Sequence, residues 1–422
     1  MSPYYAQYKM VKYWASSSVS HGENMQKEHL EKNISKIYLL KFFSMFLILM
    51  PVIVPFFNSL GIGMKGVYLI QCVFAVTVFL LEVPSGYIAD ILGRKKTLMI
   101  AFLLSAVGFS LFPFAKNLTH LIIAEIILGI GLSLKSGTDT AILYDTLEAL
   151  NSKKSHVKVL GKSISFLSMG EGFASLISSA LIWLSFSIHN LAVTSAICSW
   201  IPFFITLFLY EPPRKKMANK HTENLKYIFV KLFKQSKLLR LIMLNIVFSF
   251  SGTLFAVWMF QKYWSDLGIP LFYFGLLWAL TNFTVSISSR YAHKLEKSWG
   301  SAEVVCFIGI LPVAGYFGIS FIDHTIGFLV CLLFQVCRGV GQVILKDALN
   351  KRVTGDFRAT ANSISQMGAR IFFTILGPFL GAYIDQKGLP SGTFSMGIVY
   401  SLVFLFAIVP LIRQRKNFIP IT

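Results

Sequence analysis

Residues 86–96, Gly86-Tyr87-Ile88-Ala89-Asp90-Ile91-Leu92-Gly93-Arg94-Lys95-Lys96, form a short polar link between two long apolar runs, 66–85 and 97–115. Each run is long enough to cross a bilayer, so the link must be tight and must stay on one side of the membrane. Its glycines suit a tight loop, and its cations suit the cytoplasmic face, where Lys and Arg collect. Asp90 stands four residues before Arg94, a spacing that allows an ion pair.

The rest of the chain repeats this pattern of apolar run and basic gap. Its 422 residues are 55% hydrophobic and only 14% charged, with a mean hydropathy of +0.64. Soluble domains carry about 25% charged residues. The apolar material comes in runs of roughly twenty residues, the length that crosses a hydrocarbon core of about 30 Å. The alternation of a membrane barrel is absent, so the backbone in these runs has to be satisfied within helices. The fold class is all-α, a polytopic membrane protein. The net charge of +20 is spread through the gaps between apolar runs. It therefore reads as a membrane-topology signal, and no nucleic-acid partner is expected. Cys72, Cys198, Cys306, Cys331 and Cys337 lie inside apolar segments without metal-site spacing and read as packing residues.

Twelve spans are expected, at roughly 37–59, 66–88, 97–115, 119–147, 161–186, 189–210, 239–262, 270–291, 302–321, 325–349, 362–384 and 392–412. One set of gaps carries Arg94, Lys95 and Lys96, then Lys153, Lys154 and Lys158, then the run from Arg214 to Arg240. Arg290, Lys294, Lys297, Lys351, Arg352, Arg358, Arg413, Arg415 and Lys416 continue it. The opposite gaps hold only Lys65, Lys116, Lys262 and Lys387, so both termini are expected to be cytoplasmic. Residues 1–35 read as a polar tail, with Met25 an alternative start, and 413–422 as a second tail. Residues 211–238 divide the chain into six-span halves, 36–210 and 239–412. Leu225, Ile228, Phe229, Leu232 and Phe233 at helical spacing suggest an amphipathic helix on the inner leaflet, with a solvated basic linker as the alternative.

The halves echo one another. Lys158-Val159-Leu160-Gly161-Lys162-Ser163-Ile164-Ser165 corresponds to Arg358-Ala359-Thr360-Ala361-Asn362-Ser363-Ile364-Ser365, and Met169-Gly170 to Met367-Gly368. Gly129-Ile130-Gly131 likewise corresponds to Gly339-Val340-Gly341. Matches in the same topological order point to parallel duplicated halves.

Gly-x-x-x-Asp-x-x-Gly-Arg-Lys, preceded by Glu82-Val83-Pro84-Ser85, resembles the loop between the second and third helices of major facilitator superfamily transporters. The stretch from Ser136 to Asp145, Arg358-Ala359-Thr360, and Gly377-Pro378-Phe379-Leu380-Gly381 look similar to a bacterial branch of that family. The resemblance implies two six-helix bundles that alternate access across an inner membrane. It also implies a latch of Gly86, Asp90, Gly93, Arg94 and Asp145 that closes the cytoplasmic side in the outward-facing state. In the second half the counterpart near 290–300 lacks the Asp-to-Arg spacing, so this latch is expected to be asymmetric. Two features depart from the family's proton-driven drug exporters. Glu125 stands where they carry Arg, and residues 161–186 contain no proline.

Charges inside a bilayer cost at least about 2.5–3.5 kcal/mol each and mark pathways. Lys135, Glu171, Arg338 and Arg370 fall within spans four, five, ten and eleven, equivalent positions of the halves. They are candidates for a substrate or proton pathway, with static ion pairs as the alternative. Asp139, one turn beyond Lys135, is either a fifth member or the lysine's structural partner. Glu125 is placed nearer the outer surface, and Lys41 near the cytoplasmic end of span one, where it snorkels. No cofactor or metal is expected; an intramembrane enzyme would need a catalytic set such as clustered histidines, whereas His120, His189, His293 and His324 are scattered at loops and ends. Gly161-Lys162-Ser163 ends like a P-loop, but His156 stands at its first glycine position. The expected function is proton-coupled efflux of a drug-like compound or metabolite, a siderophore among the candidates. A proton-coupled importer and a non-transporting receptor are the alternatives. The expected partners are a small solute, protons and membrane lipids, acting on a monomer.

Overall fold

A computed structural model describes residues 27–150, 156–213, 236–353 and 358–417. The described residues are helical throughout, with no strand among them. Helix α1 covers residues 27–44, and a 3-10 turn at Met50–Val52 leads into α2, Ile53–Ser59. Then come α3 Met64–Leu92, α4 Arg94–Ser110, α5 Leu118–Lys135, α6 Thr138–Ala149, α7 His156–Trp183 and α8 Ile188–Leu207. The second half holds α9 Lys237–Asp266, α10 Tyr273–Trp299, α11 Ser301–Phe321, α12 Val330–Asn350, α13 Arg358–Lys387, α14 Leu389–Val403 and α15 Val409–Arg413. The amphipathic helix expected around 225–233 lies outside the described residues.

Among the described residues, ten stretches are long and apolar enough to cross a membrane. Two of the twelve expected spans fall outside that set, for different reasons. The first is broken between residues 45 and 52, where Pro51 opens the 3-10 turn and Pro55 follows in α2. The eighth, α10, carries Thr281, Asn282, Thr284, Ser286, Ser288 and Ser289, which lower its hydropathy although its 27 residues are long enough.

The polar link at 86–96 is not a loop. Residues up to Leu92 continue α3, and Arg94 already opens α4, so Gly93 alone makes the turn, at φ +98°. Helix wins because it satisfies each backbone group internally, which a loop near lipid cannot do. Only glycine takes this φ without strain. Replacing Gly93 by Ala is expected to destabilise the protein by about 1–2 kcal/mol from the left-handed backbone. The added Cβ would also meet Glu211 Oε1 at 2.9 Å. Thermal unfolding in detergent checks this. Gly300, at φ +100°, makes the equivalent single-residue turn between α10 and α11.

The sequence echo between the halves carries into packing. A Cβ on Gly129 would approach Thr77 Cβ of α3 to 2.8 Å, and one on Gly339 would approach Ser288 Cβ of α10 to 2.7 Å. Each glycine thus lets a fourth span lie close on its own half's second span. Gly170 similarly abuts the Phe42 carbonyl of α1, and Gly368 the side chain of Val247 on α9. Between lipid-facing helices such close approach and hydrogen bonding replace the missing hydrophobic drive.

Among the described residues the halves meet most extensively along α3 with α13 and α7 with α10. Near the start of α3 they are joined by buried aromatics, with Tyr68, Phe255 and Phe373 in mutual contact. Tyr68 Oη donates to the Phe255 carbonyl at 2.9 Å. Gln261 on α9 bridges to the broken first span, accepting from Val54 N–H at 2.9 Å and donating to the Met50 carbonyl at 2.8 Å. The break in span one therefore exposes backbone groups that a partner half can hold.

Candidate functional site

Two clusters of charge matter, one at the Gly93 turn and one between the halves. At the turn, Arg94 Nη1 lies 3.1 Å from Asp90 Oδ1, and its Nε lies 3.4 Å from Asp145 Oδ2 on α6. Asp90, Arg94 and Asp145 thus come together. Glu211 completes the cluster. Its Oε1 accepts from the Arg94 backbone N–H at 2.8 Å and its Oε2 from that of Lys95 at 2.6 Å. These amides open α4 and have no partner within the helix, so a carboxylate there satisfies them and suits the helix dipole. Lys95 Nζ in turn donates to the Leu207 carbonyl at the end of α8, at 2.9 Å. In the sequence Glu211-Pro212-Pro213 signals only the end of a helix. Nothing there reveals a cap on a helix 117 residues away. Gly86 differs from the others, with no described atom within 4 Å of a Cβ built on it.

Between the halves, Glu171 sits mid-way along α7 and accepts a hydrogen bond from Trp278 Nε1 on α10 at 2.9 Å. Its charge also bears on Arg338 of α12. Arg338 is exposed and lines a small cavity. Gln342 and Lys346 follow it at four-residue intervals and share its pocket with Gln366 of α13. These spacings place one polar stripe on one helix face.

Arg370 faces a different acid. Glu82 of α3 is the carboxylate whose charge bears on it, and Ser363 Oγ donates to Glu82 Oε1 at 3.2 Å. Arg370 Nη1 is buried without a hydrogen-bond partner. Sequence reading treats Glu82 as part of a family motif and misses its place opposite Arg370. The signal available was a carboxylate at the end of an apolar run.

Lys135 and Asp139 lie elsewhere. The structure breaks span four at Ser136 and Gly137, the latter at φ +76°, so Asp139 is not simply one helical turn beyond Lys135. Asp139 instead forms an ion pair with Lys41 of α1, each side chain 11% exposed. Lys41 is thus paired rather than snorkelling. Lys135 is buried within the first half, its Nζ 5.4 Å from the Phe102 ring centre, with Asp139 and Lys41 the charges acting on it. Glu125 is buried too, with Gln71 Nε2 donating to it at 3.3 Å. Among the described residues no group of His, Cys, Asp and Glu side chains could hold a metal ion.

Comparison with known proteins places this architecture. The family model described as Major Facilitator Superfamily matches residues 37–371. An uncharacterized MFS-type transporter, YxaM of Bacillus subtilis (strain 168), is 24% identical over 84% of this chain and 87% of its own. A class H tetracycline resistance protein of Pasteurella multocida is 24% identical over 71% of this chain and 74% of its own. Among solved structures, the nucleoside transporter NupG superposes with a TM-score of 0.75 at 15% identity, covering 90% of this chain and 98% of its own. A D-xylose–proton symporter gives a TM-score of 0.69 at 15% identity, covering 94% and 98%. These structural likenesses speak to the fold alone. With ten apolar stretches of membrane-spanning length among the described residues, the protein fits a multi-pass protein of a bacterial inner membrane, and the chain belongs to the Major Facilitator Superfamily.

Proposed function

We propose that this transporter exports a small solute in exchange for protons, with Glu171 as the group over which the two compete. The observation that carries the reading is the position of Glu171, held by Trp278 of the opposite half and facing Arg338. A carboxylate shared by both halves changes their mutual attraction when it gains a proton, so its charge biases which side of the membrane is open. The polar stripe of Arg338, Gln342 and Lys346 supplies hydrogen bonds and charge to a solute in the cavity beside it. In this reading the basic loops and both termini face the cytoplasm, and the cluster around Gly93 latches that side. Arg370 and Glu82 form a second pathway pair. Lys135 and Asp139 act with Lys41 as the charged scaffold of the first half.

The solute in this reading is a drug-like compound or a metabolite, a siderophore among the candidates, and the tetracycline resistance relative makes tetracycline the first probe. Reconstituted vesicles with an imposed pH gradient test the coupling. Flux that persists unchanged when the gradient is collapsed would overturn it. The sign of proton linkage tests the direction. Exchange requires solute binding to release a proton from purified protein, whereas proton uptake on binding would favour an importer.

A further inference from the structure

Gly381-x-x-x-Asp385-x-x-Gly388, at the end of α13, has the same spacing as Gly86-x-x-x-Asp90-x-x-Gly93 at the end of α3. Both helices stop at a glycine with positive φ, +98° at Gly93 and +85° at Gly388. The helices run antiparallel across the junction between the halves. Gly381 lies against Met64, Gly377 against Tyr68, Phe373 against Cys72, and Ser363 against Glu82. The two copies of the motif therefore occupy opposite ends of one inter-half helix pair.

The Asp385 copy is engaged across that pair. Its Oδ1 accepts from Met64 N–H at 2.7 Å and its Oδ2 from Lys65 N–H at 2.8 Å, covering free amides that open α3. The negative charge also suits the positive end of the helix. Gly381 permits the approach, since a Cβ there would lie 2.6 Å from the Met64 carbonyl oxygen and 2.7 Å from Lys65 N. Gly63, the residue capping α3, would likewise place a Cβ 2.8 Å from both carboxylate oxygens of Asp385. The Asp90 copy is arranged otherwise. Asp90 pairs within its own half with Arg94, its side chain is 50% exposed, and a Cβ on Gly86 meets no described atom within 4 Å. Continuing the antiparallel register brings Gly86 level with the first turn of α13.

We propose that Gly381, Asp385 and Gly388 form a second latch, and that the two latches engage across the halves in alternate conformations. In this structure Asp385 sets its carboxylate from the last turn of α13 onto the first amides of α3. The Asp385 latch holds its end of the molecule shut in the conformation described here. When it lets go, the helix pair pivots and the Gly86 end closes. Asp385 is exposed, so its cap holds the end closed without trapping it. The inference concerns conformation alone and stands whether or not Glu171 carries the proton.

Electron–electron distance measurements on the full chain in lipid nanodiscs test it, with the native cysteines replaced. One spin-label pair at Lys116 and Ile326 reports the Asp385 end, and another at Lys96 and Lys297 reports the Gly93 end. Asp385→Ala is expected to raise the ratio of open to closed at the first pair about tenfold, the scale of losing a charged helix cap, and to shorten the second pair. Gly381→Ala is expected to act in the same direction by forcing the helix ends apart. Gly86→Leu should act oppositely, keeping the first pair closed because the Gly93 end can no longer shut. Unchanged distances at the first pair in the folded Asp385→Ala or Gly381→Ala protein would overturn the proposal. So would opening or closing at both ends together.

Discussion

Replacing Glu171 by Gln is expected to abolish proton coupling while leaving the fold intact. The amide oxygen of Gln still accepts from Trp278 Nε1, so the bridge between α7 and α10 survives. What is lost is a group able to gain and release a proton and to attract Arg338 in one state only. With one proton per cycle, a gradient of about one pH unit supports roughly a tenfold solute ratio across a vesicle membrane. The variant should bring that ratio down to passive equilibration. A variant that retains the full gradient-driven ratio would remove Glu171 from the coupling step. Trp278→Phe is the useful comparison. It forfeits one hydrogen bond, about 1 kcal/mol, and keeps the titrating group.

The largest effect on stability is expected from Asp139→Leu. Asp139 pairs with Lys41 and is also the acid nearest in effect to Lys135, so one carboxylate serves two buried ammonium groups. Removing one partner of a buried pair costs about 3–5 kcal/mol, because the remaining charge keeps its desolvation penalty without compensation. Here two lysines are left together, which places the loss at the upper end of that range. Adding Lys41→Met to Asp139→Leu removes one of the stranded charges and should recover part of the loss. Unfolding midpoints of the three proteins in detergent make the comparison. A double variant no more stable than Asp139→Leu would show that the Lys41 pair is not what Asp139 contributes.

Much of this was legible in the chain because helices in lipid leave few choices. The apolar runs set the helices, the four-residue spacing of Asp90 and Arg94 anticipated their ion pair, and the resemblance placed Asp145 in the same cluster, where it does meet Arg94. The echoes Gly129/Gly339 and Gly170/Gly368 turned out to be paired close-packing positions, a meaning that spacing alone does not supply. Other features depended on what lies across the interface. Glu171 and Arg338 stood out as charges in apolar runs, but Trp278 looks like any membrane tryptophan until α10 is laid against α7.

The helical wheel misled at Lys135 for a definite reason. It assumes one continuous helix, and the turn at Ser136-Gly137 rotates everything after it. Asp139 therefore reaches Lys41, and Lys135 is left against Phe102. The turn glycines misled in the opposite direction. Gly86 and Gly93 read as parts of one tight loop, although one is the inside of a helix and only the other bends the chain.

Glu211 carries a mechanical consequence. It is the point at which the first half hands the chain on toward the second, and both its oxygens are spent on the start of α4. The connector is thus moored at its root to the same turn that bears Arg94 and Asp90. A displacement of that turn carries Glu211 with it, so the placement of α4 sets the point from which residues 211–213 leave the first half.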